Sequence, residues 1–120
     1  MEVLASRIIL RPKDFDRTLK FYRDRLRLGV FREYPGGVVF FAGQSLIEVA
    51  AHGEPGGPAT ILLQVPSVDA ACAELQEAGV DIVRRPRTEP WGLIEMWIAD
   101  PDGTHIAVVE VPVDHPQRRG

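Results

Sequence analysis

The first strand-like segment of the chain carries two arginines at alternating positions. Arg7, Ile9 and Arg11 alternate with Ile8 and Leu10, and successive side chains of a β-strand point to opposite faces. We therefore expect Ile8 and Leu10 to pack under helices and both guanidinium groups to reach the other face. A guanidinium binds carboxylate, phosphate or enolate oxygens through several N–H donors. The pattern indicates either an anion-binding role or an ion pair.

Aromatic side chains supply the apolar half of a small-molecule site. Those on predicted strands or their flanking turns are Phe31, Phe40, Phe41, Trp91 and Trp97. Trp91 and Trp97 are the first choices for ligand contact, and Phe40 is added to them. Ile94, Met96 and Ile98 have the spacing of core-facing residues, which turns Glu95 and Trp97 toward a ligand. Core packing is the alternative for any one of these aromatics.

Composition narrows the class of protein. The 120 residues carry 14 basic and 17 acidic side chains, for a net charge of −3, and the two signs are interspersed. The basic clusters at 23–27 and 84–87 lack interleaved aromatics, so we read them as solvated faces and expect no nucleic-acid partner. No apolar stretch approaches the roughly 20 residues that cross a bilayer. We expect one cytoplasmic domain without a membrane segment.

The single cysteine lies in a predicted helix. Cys72 shares an apolar helical stripe with Val68, Ala71, Leu75 and Ala78. A thiol buried in this way lacks the electropositive, accessible setting of a nucleophile. Cys72 is predicted to pack in the core.

Sliding the sequence past itself by 53 positions reveals an internal repeat. Each half reads as a strand, a helix and three short strands: module one covers about 5–52, module two about 58–112, and 113–120 is a polar tail. Asp14 and Ser67 are the predicted helix N-caps, and Gly79 ends the second helix. The later strands are predicted at 28–33, 37–42, 46–51, 81–85, 92–99 and 104–111. A linker at 55–58 joins the modules.

The ordered motifs of the chain resemble the vicinal oxygen chelate superfamily of glyoxalases, bleomycin-resistance proteins and extradiol dioxygenases. The residues that carry the resemblance are Lys13-Asp14-Phe15-Asp16-Arg17, Phe21-Tyr22-Arg23-Asp24, Val68-Asp69-Ala70-Ala71, Pro90-Trp91-Gly92 and Asp100-Pro101-Asp102-Gly103-Thr104. The resemblance covers about residues 5–112. It implies an α+β fold in which two tandem βαβββ modules form a U-shaped, barrel-like mixed sheet with helices outside. It also implies a homodimer with a ligand cleft on the concave side.

The resemblance also implies where a metal would bind in relatives of this kind. Its four ligand positions fall on Arg7 and Glu48 in module one and on Thr60 and Ala107 in module two. Guanidinium and methyl groups offer no lone pair, and a threonine hydroxyl is a poor ligand. We therefore expect no metal and no cofactor.

Histidine could replace a lost ligand. His105 lies two residues before Ala107 and so on the same strand face, which makes it a candidate ligand-binding residue, although a locally satisfied histidine is the simpler interpretation. His52 follows the fourth strand by a turn, and His115 falls in the tail.

Three functions remain open. The first is a metal-free protein of the bleomycin-resistance kind that sequesters or carries a small molecule, as in antibiotic resistance, using Arg7, Arg11, Glu48, Phe40, Trp91, Trp97 and His105. The second is a cofactor-independent isomerase, epimerase or cyclase in which Glu48 is the base and Arg7 steadies an oxyanion. The third is a divalent-metal lyase or dioxygenase with altered ligands. The sign of the ligand's charge stays open, because the acidic chain favours a cation and the two arginines favour an anion.

Overall fold

A computed structural model describes Glu2, Leu4, residues 7–53 and residues 59–114. The chain divides into two compact units, residues 1–58 and 59–120. The predicted linker at 55–58 and His115 lie outside the described residues.

Over its described residues, unit 1 contains one helix and four strands. Its elements are β1 (Ile8–Leu10), α1 (Phe15–Lys20), a π-helical continuation of α1 (Phe21–Arg25), β2 (Val30–Tyr34), β3 (Gly37–Ala42) and β4 (Ser45–Ala50). The strands lie in the order β1-β4-β3-β2. β1 is parallel to β4, and the other pairs are antiparallel.

Unit 2 repeats this arrangement. Its elements are β5 (Thr60–Gln64), α2 (Val68–Glu77), β6 (Ile82–Thr88), β7 (Ile94–Ala99) and β8 (His105–Glu110), and the sheet order is β5-β8-β7-β6. The registers correspond, since Ile9 pairs with Glu48 in unit 1 and Leu62 pairs with Ala107 in unit 2. The predicted α+β class and the tandem βαβββ modules are therefore confirmed.

Over the described residues, neither sheet closes on itself into a barrel. Each sheet has four strands, and its outer strands pair with one neighbour only. A barrel requires every strand to pair on both sides. The two sheets are thus open, mixed sheets.

Both helices begin where the sequence predicts. The Asp14 carboxylate accepts the Arg17 N–H at 3.1 Å, and the Ser67 hydroxyl accepts the Ala70 N–H at 3.1 Å. Each side chain thereby satisfies a backbone donor that has no partner inside the helix. Gly79 follows α2 at φ +81°, a left-handed conformation that glycine adopts without strain.

The first helix is not α-helical over its whole length. Its chain turns π-helical, with the Leu26 N–H bonded to the Phe21 carbonyl five residues earlier. Phe21 and Tyr22, the first two residues of this π-helical segment, are both buried. The wider turn leaves no sign in the apolar spacing of the sequence.

Apolar residues are buried on both faces of each sheet. In unit 1, Tyr22 packs against Phe40 with their ring centroids 6.3 Å apart. In unit 2, Val68, Met96, Ile98 and Ile106 are fully buried. The Cys72 thiol is also buried, as expected. No helix among the described residues is long and apolar enough to span a bilayer.

Candidate functional site

The side chain of Glu48 lies in the middle strand pair of unit 1, on the sheet face opposite Phe40. Its neighbours in register are Ile9 on β1 and Val39 on β3. Only 3% of Glu48 is exposed. A carboxylate this buried among apolar residues is costly unless cationic or hydrogen-bonding groups surround it.

Arg7 supplies the cation. Its Nε lies 2.6 Å from Glu48 Oε1, and 40% of the Arg7 side chain remains exposed. Oε1 nevertheless accepts no aligned hydrogen bond from the described residues. The contact is therefore an ion pair without the alignment of a hydrogen bond.

Tyr34 and His52 complete the surroundings of Glu48. The Tyr34 hydroxyl donates to Glu48 Oε2 at 2.5 Å and lies 3.1 Å from His52 Nε2. Because a phenol has one proton, and Glu48 accepts it, His52 Nε2 must donate to the Tyr34 oxygen. Burial raises the pKa of Tyr34, and the hydrogen bond to Glu48 raises it further. Tyr34 therefore remains a neutral donor at physiological pH.

Two glycines make room for this arrangement. A Cβ on Gly37 would collide with the Tyr34 phenol and approach the Val49 carbonyl to 2.8 Å. The absence of a side chain at Gly37 lets the Tyr34 ring lie across the sheet toward Glu48. Similarly, a Cβ on Gly53 would lie 2.8 Å from Arg11 Nε, so the guanidinium of Arg11 rests against the backbone there.

Aromatic rings lie beyond Glu48 on the same sheet. The rings of Phe31 and Phe41 meet edge to face at 5.1 Å between centroids, and 51% and 48% of the two residues are exposed. Arg32 lies over the Tyr34 ring, 5.2 Å from its centroid. Phe40, in contrast, is fully buried on the helix-packed face. The structure thus places Phe31 and Phe41, and not Phe40, on the face of Glu48.

The tryptophans of unit 2 converge on a second acidic residue. Trp91 Nε1 donates to Glu95 Oε2 at 2.8 Å, and Trp97 Nε1 donates to Glu95 Oε1 at 3.3 Å. Glu95 is 8% exposed, whereas Trp91 is 56% exposed. Glu95 and Trp97 lie on the opposite sheet face from Met96 and Ile98, as the spacing predicts. Trp97 packs there against the buried cluster of Leu93, Ala107, Val109 and Val111, which is the core-packing alternative for this indole.

Arginines surround this indole–carboxylate cluster. The Arg84 guanidinium lies 3.8 Å from the centroid of Trp97 and donates to the Glu95 carbonyl at 3.1 Å. It also pairs with Glu89 at 2.5 Å, and Arg87 pairs with Glu89 at 3.1 Å. The hydrogen bond from Arg87, together with the charge and hydrogen bond of Arg84, lowers the pKa of Glu89. Arg84 is thus part of a half-buried network and is not the solvated cluster member that its sequence suggests.

The four positions that bind metal in relatives of the vicinal oxygen chelate superfamily do not form a metal site here. Arg7 places a permanent cation against Glu48 in unit 1. In unit 2, Leu62 and Ala107 pair in register where unit 1 has Ile9 and Glu48, and Thr60 pairs with His105. His105 meets the edge of Trp97 at 5.2 Å. Among the described residues, no three His, Cys, Asp or Glu side chains lie close enough to hold a metal ion. The residues present do not fit the metal.

The sequence predicted some of the residues in each of these two clusters. It named Arg7 with Glu48 and Trp91 with Trp97, and the structure joins both pairs through short contacts. It missed Tyr34 as a partner of Glu48. Strand alternation carried the missing signal, since the register of β2 on β3 places Tyr34 opposite Gly37, two residues from Val39.

Comparisons with known proteins agree with this architecture. The model of the Glyoxalase/Bleomycin resistance protein/Dioxygenase superfamily matches residues 5–108. A glyoxalase/bleomycin resistance protein from Catenulispora acidiphila is 28% identical, with a TM-score of 0.74 over 92% of this chain and 100% of that one. Lactoylglutathione lyase from Agrobacterium tumefaciens is 19% identical, with a TM-score of 0.73 over 92% and 96%. A superfamily protein from Nocardioides is 17% identical, with a TM-score of 0.75 over 97% and 89%. No curated protein matches significantly.

Replacing Gly37 with alanine should displace Tyr34 from Glu48. We expect the free energy of unfolding to fall by about 1.5–3 kcal/mol, the range for a hydrogen bond to a charged group. The pKa of Tyr34 should also fall toward its ordinary value, which ultraviolet titration measures with Tyr34→Phe identifying the transition. Gly29→Ala is the control, because its Cβ would make an ordinary 3.7 Å contact with Phe41. Unchanged stability and titration in Gly37→Ala would show that the ring does not depend on this glycine.

Glu89 should make stability depend on pH in the acid range. Its folded-state pKa is lowered, so its contribution is present above the ordinary carboxyl pKa and is lost as pH falls through the folded value. Glu89→Gln should therefore destabilise the protein at neutral pH and approach wild-type stability below about pH 4. Denaturant unfolding at several pH values measures the difference, with exposed Glu77→Gln as control. A stability gap between Glu89→Gln and wild type that does not narrow in acid contradicts this role.

Proposed function

The chain belongs to the glyoxalase/bleomycin resistance protein/dioxygenase superfamily, and we propose that it binds a small organic molecule without using a metal. Bleomycin-resistance-like sequestration or carriage is the activity of this kind that requires only binding. The Arg7–Glu48 site of unit 1 is its centre.

Metal independence is supported by the chemistry of that site. A divalent ion needs lone pairs from several fixed ligands, whereas Arg7 offers only donors and a fixed positive charge. Its guanidinium already neutralises Glu48 at 2.6 Å. A cation bound beside Glu48 would have to displace Arg7, and Glu48 and His52 would then be at most two ligands, since no three His, Cys, Asp or Glu side chains of the described chain lie close enough to hold a metal.

One observation carries the binding proposal: Arg7 pairs with a buried carboxylate and still keeps 40% of its side chain exposed. A guanidinium has several N–H donors, so an acceptor group on a ligand gains charge-assisted hydrogen bonds at the exposed part of Arg7. The exposed side of Arg7 and the rings of Phe31 and Phe41 provide polar and apolar contacts on the same sheet face.

Base catalysis by Glu48 is a second candidate, and the chain of contacts through Tyr34 favours it. Glu48, the Tyr34 hydroxyl and His52 Nε2 form a continuous hydrogen-bonded path. The His52 side chain is 56% exposed, and the donors of this path point toward Glu48, so the path can return a proton from solvent to the carboxylate. An isomerase or epimerase needs such a return path.

Ligand binding should be independent of divalent metals. A thermal-shift screen is expected to find organic compounds that raise the melting temperature by mass action, equally with and without a chelator. Zinc, nickel, manganese and magnesium salts should produce no specific shift. Elemental analysis of protein purified without chelator provides the control. Stoichiometric bound metal, or binding that a chelator abolishes, would overturn the proposal.

The substitution Glu48→Gln separates binding from catalysis. It keeps an acceptor oxygen while removing the base, so a binder should retain affinity within about fivefold, a change of roughly 1 kcal/mol. For ligands from the screen, incubation in heavy water followed by NMR detects proton exchange at carbon. A binder gives no exchange with either protein, whereas exchange by wild type that Glu48→Gln abolishes identifies Glu48 as a base.

We also propose a homodimer, as the superfamily resemblance implies. Phe31 and Phe41 are each about half exposed, which gives a second copy of the chain an apolar surface to cover. Light scattering of purified protein over a range of concentrations measures the association state. A monomer throughout that range would reject the dimer while leaving metal-independent binding intact.

A further inference from the structure

The charges around Glu48 indicate the sign of its ligand. Of the described charged side chains here, Arg7 pairs with Glu48, Arg32 lies over Tyr34 on the same face, and Arg11 lies against Gly53 at the end of β4. Glu48 neutralises one of these three positive charges. The described part of the face therefore keeps an excess of positive charge, although the whole chain carries −3.

An apolar row begins beside Arg7. The register of β1 on β4 places Ile8 opposite Ile47, so continuing it by one residue places Arg7 opposite Leu46. Leu46 in turn pairs with Phe41 on β3, and Phe41 contacts Phe31. Since neighbouring strands lie about 4.8 Å apart, the backbone of Arg7 is about 10 Å from that of Phe41.

We propose that unit 1 binds an aromatic carboxylate, with its anionic group on the Arg7 guanidinium and its ring on Leu46 and Phe41. This inference names the ligand class of the proposed binding function and rests on it. Arginine binds carboxylates through its planar set of donors. The exposed Phe31–Phe41 pair gives edge and face contacts to an incoming ring.

Other ligand types fit these residues less well. A cationic ligand would be repelled by Arg7, Arg32 and Arg11. A neutral aromatic would use the phenylalanines but would forgo the exposed guanidinium. A second copy of the chain could cover Phe31 and Phe41 instead, and it would then compete with the small molecule for the same row.

Four probes that share a four-carbon chain isolate each feature. They are 4-phenylbutanoate, its neutral amide, the ringless butanoate and the cationic 4-phenylbutylammonium, titrated into the full chain and followed by two-dimensional amide NMR. We expect 4-phenylbutanoate to bind best, at least about threefold tighter than the other three. Shifts should centre on the amides of Ile8, Leu46 and Phe41.

Variants test the two contacts separately. Arg7→Gln and Phe41→Ala should each weaken 4-phenylbutanoate binding by about tenfold, and Glu48→Gln should tighten it by about threefold because it removes a nearby negative charge. Arg85→Gln is the matched control, since it removes an equal charge from an exposed position on β6 in unit 2. Arg7→Gln must keep the folded spectrum, and Arg7→Lys should restore part of the affinity.

Several outcomes overturn the inference. They are equal binding of acid and amide, preference for the ammonium probe, and shifts away from Leu46 and Phe41. Amide signals of Phe31 and Phe41 that shift with protein concentration, and not with added probe, would show that a second copy of the chain covers the row. If the broader thermal-shift screen finds neutral or cationic ligands, the proposed function stands and only the ligand class fails. If no compound binds in either experiment, both fail.

Discussion

The ion pair of Arg7 and Glu48 is the constraint on which the unit 1 site depends. An ionised carboxylate that is almost fully buried costs several kcal/mol in desolvation unless opposite charge and hydrogen bonds offset it. A metal ion could provide this compensation, but Arg7 provides it through a covalently attached cation 2.6 Å away. The guanidinium then fixes the electrostatics of the face, whereas the phenol of Tyr34 fixes the orientation of the carboxylate.

The two units show how one repeat accommodates different chemistry. The register position of Glu48 in unit 1 is held by Ala107 in unit 2, and Trp97 replaces Val39 beside it. With the central carboxylate gone, its space is filled by an indole. In unit 2 the acidic side chains lie at other positions. Indole N–H groups donate to Glu95, and Arg84 forms an ion pair with Glu89. The fold therefore constrains strand register far more than it constrains the residues displayed on it.

Sequence reasoning could predict features that depend on local chemistry or strict periodicity. The N-caps at Asp14 and Ser67 and the alternation around Trp97 belong to this group, because each depends on neighbours within a few residues. The π-helical turn at Phe21 and the half-buried state of Arg84 do not. Both depend on packing between elements distant in sequence. The face of Phe40 was also undecided, because β3 is a continuous apolar run that shows no alternation.

Electrostatics decides how selective the Arg7 site can be. Because 40% of the Arg7 side chain is exposed, an effective dielectric constant of about 60, between the surface value and that of water, is appropriate: an anion about 4 Å from Arg7 then gains about 1.4 kcal/mol, and Glu48 at about 6–7 Å returns about 0.8 kcal/mol of repulsion. The remainder, roughly 0.6 kcal/mol, corresponds to about threefold in affinity. A buried carboxylate behind an exposed arginine thus weakens the anion site without reversing its sign. Most of the affinity must then come from apolar contact, which assigns ligand discrimination to the row formed by Leu46, Phe41 and Phe31.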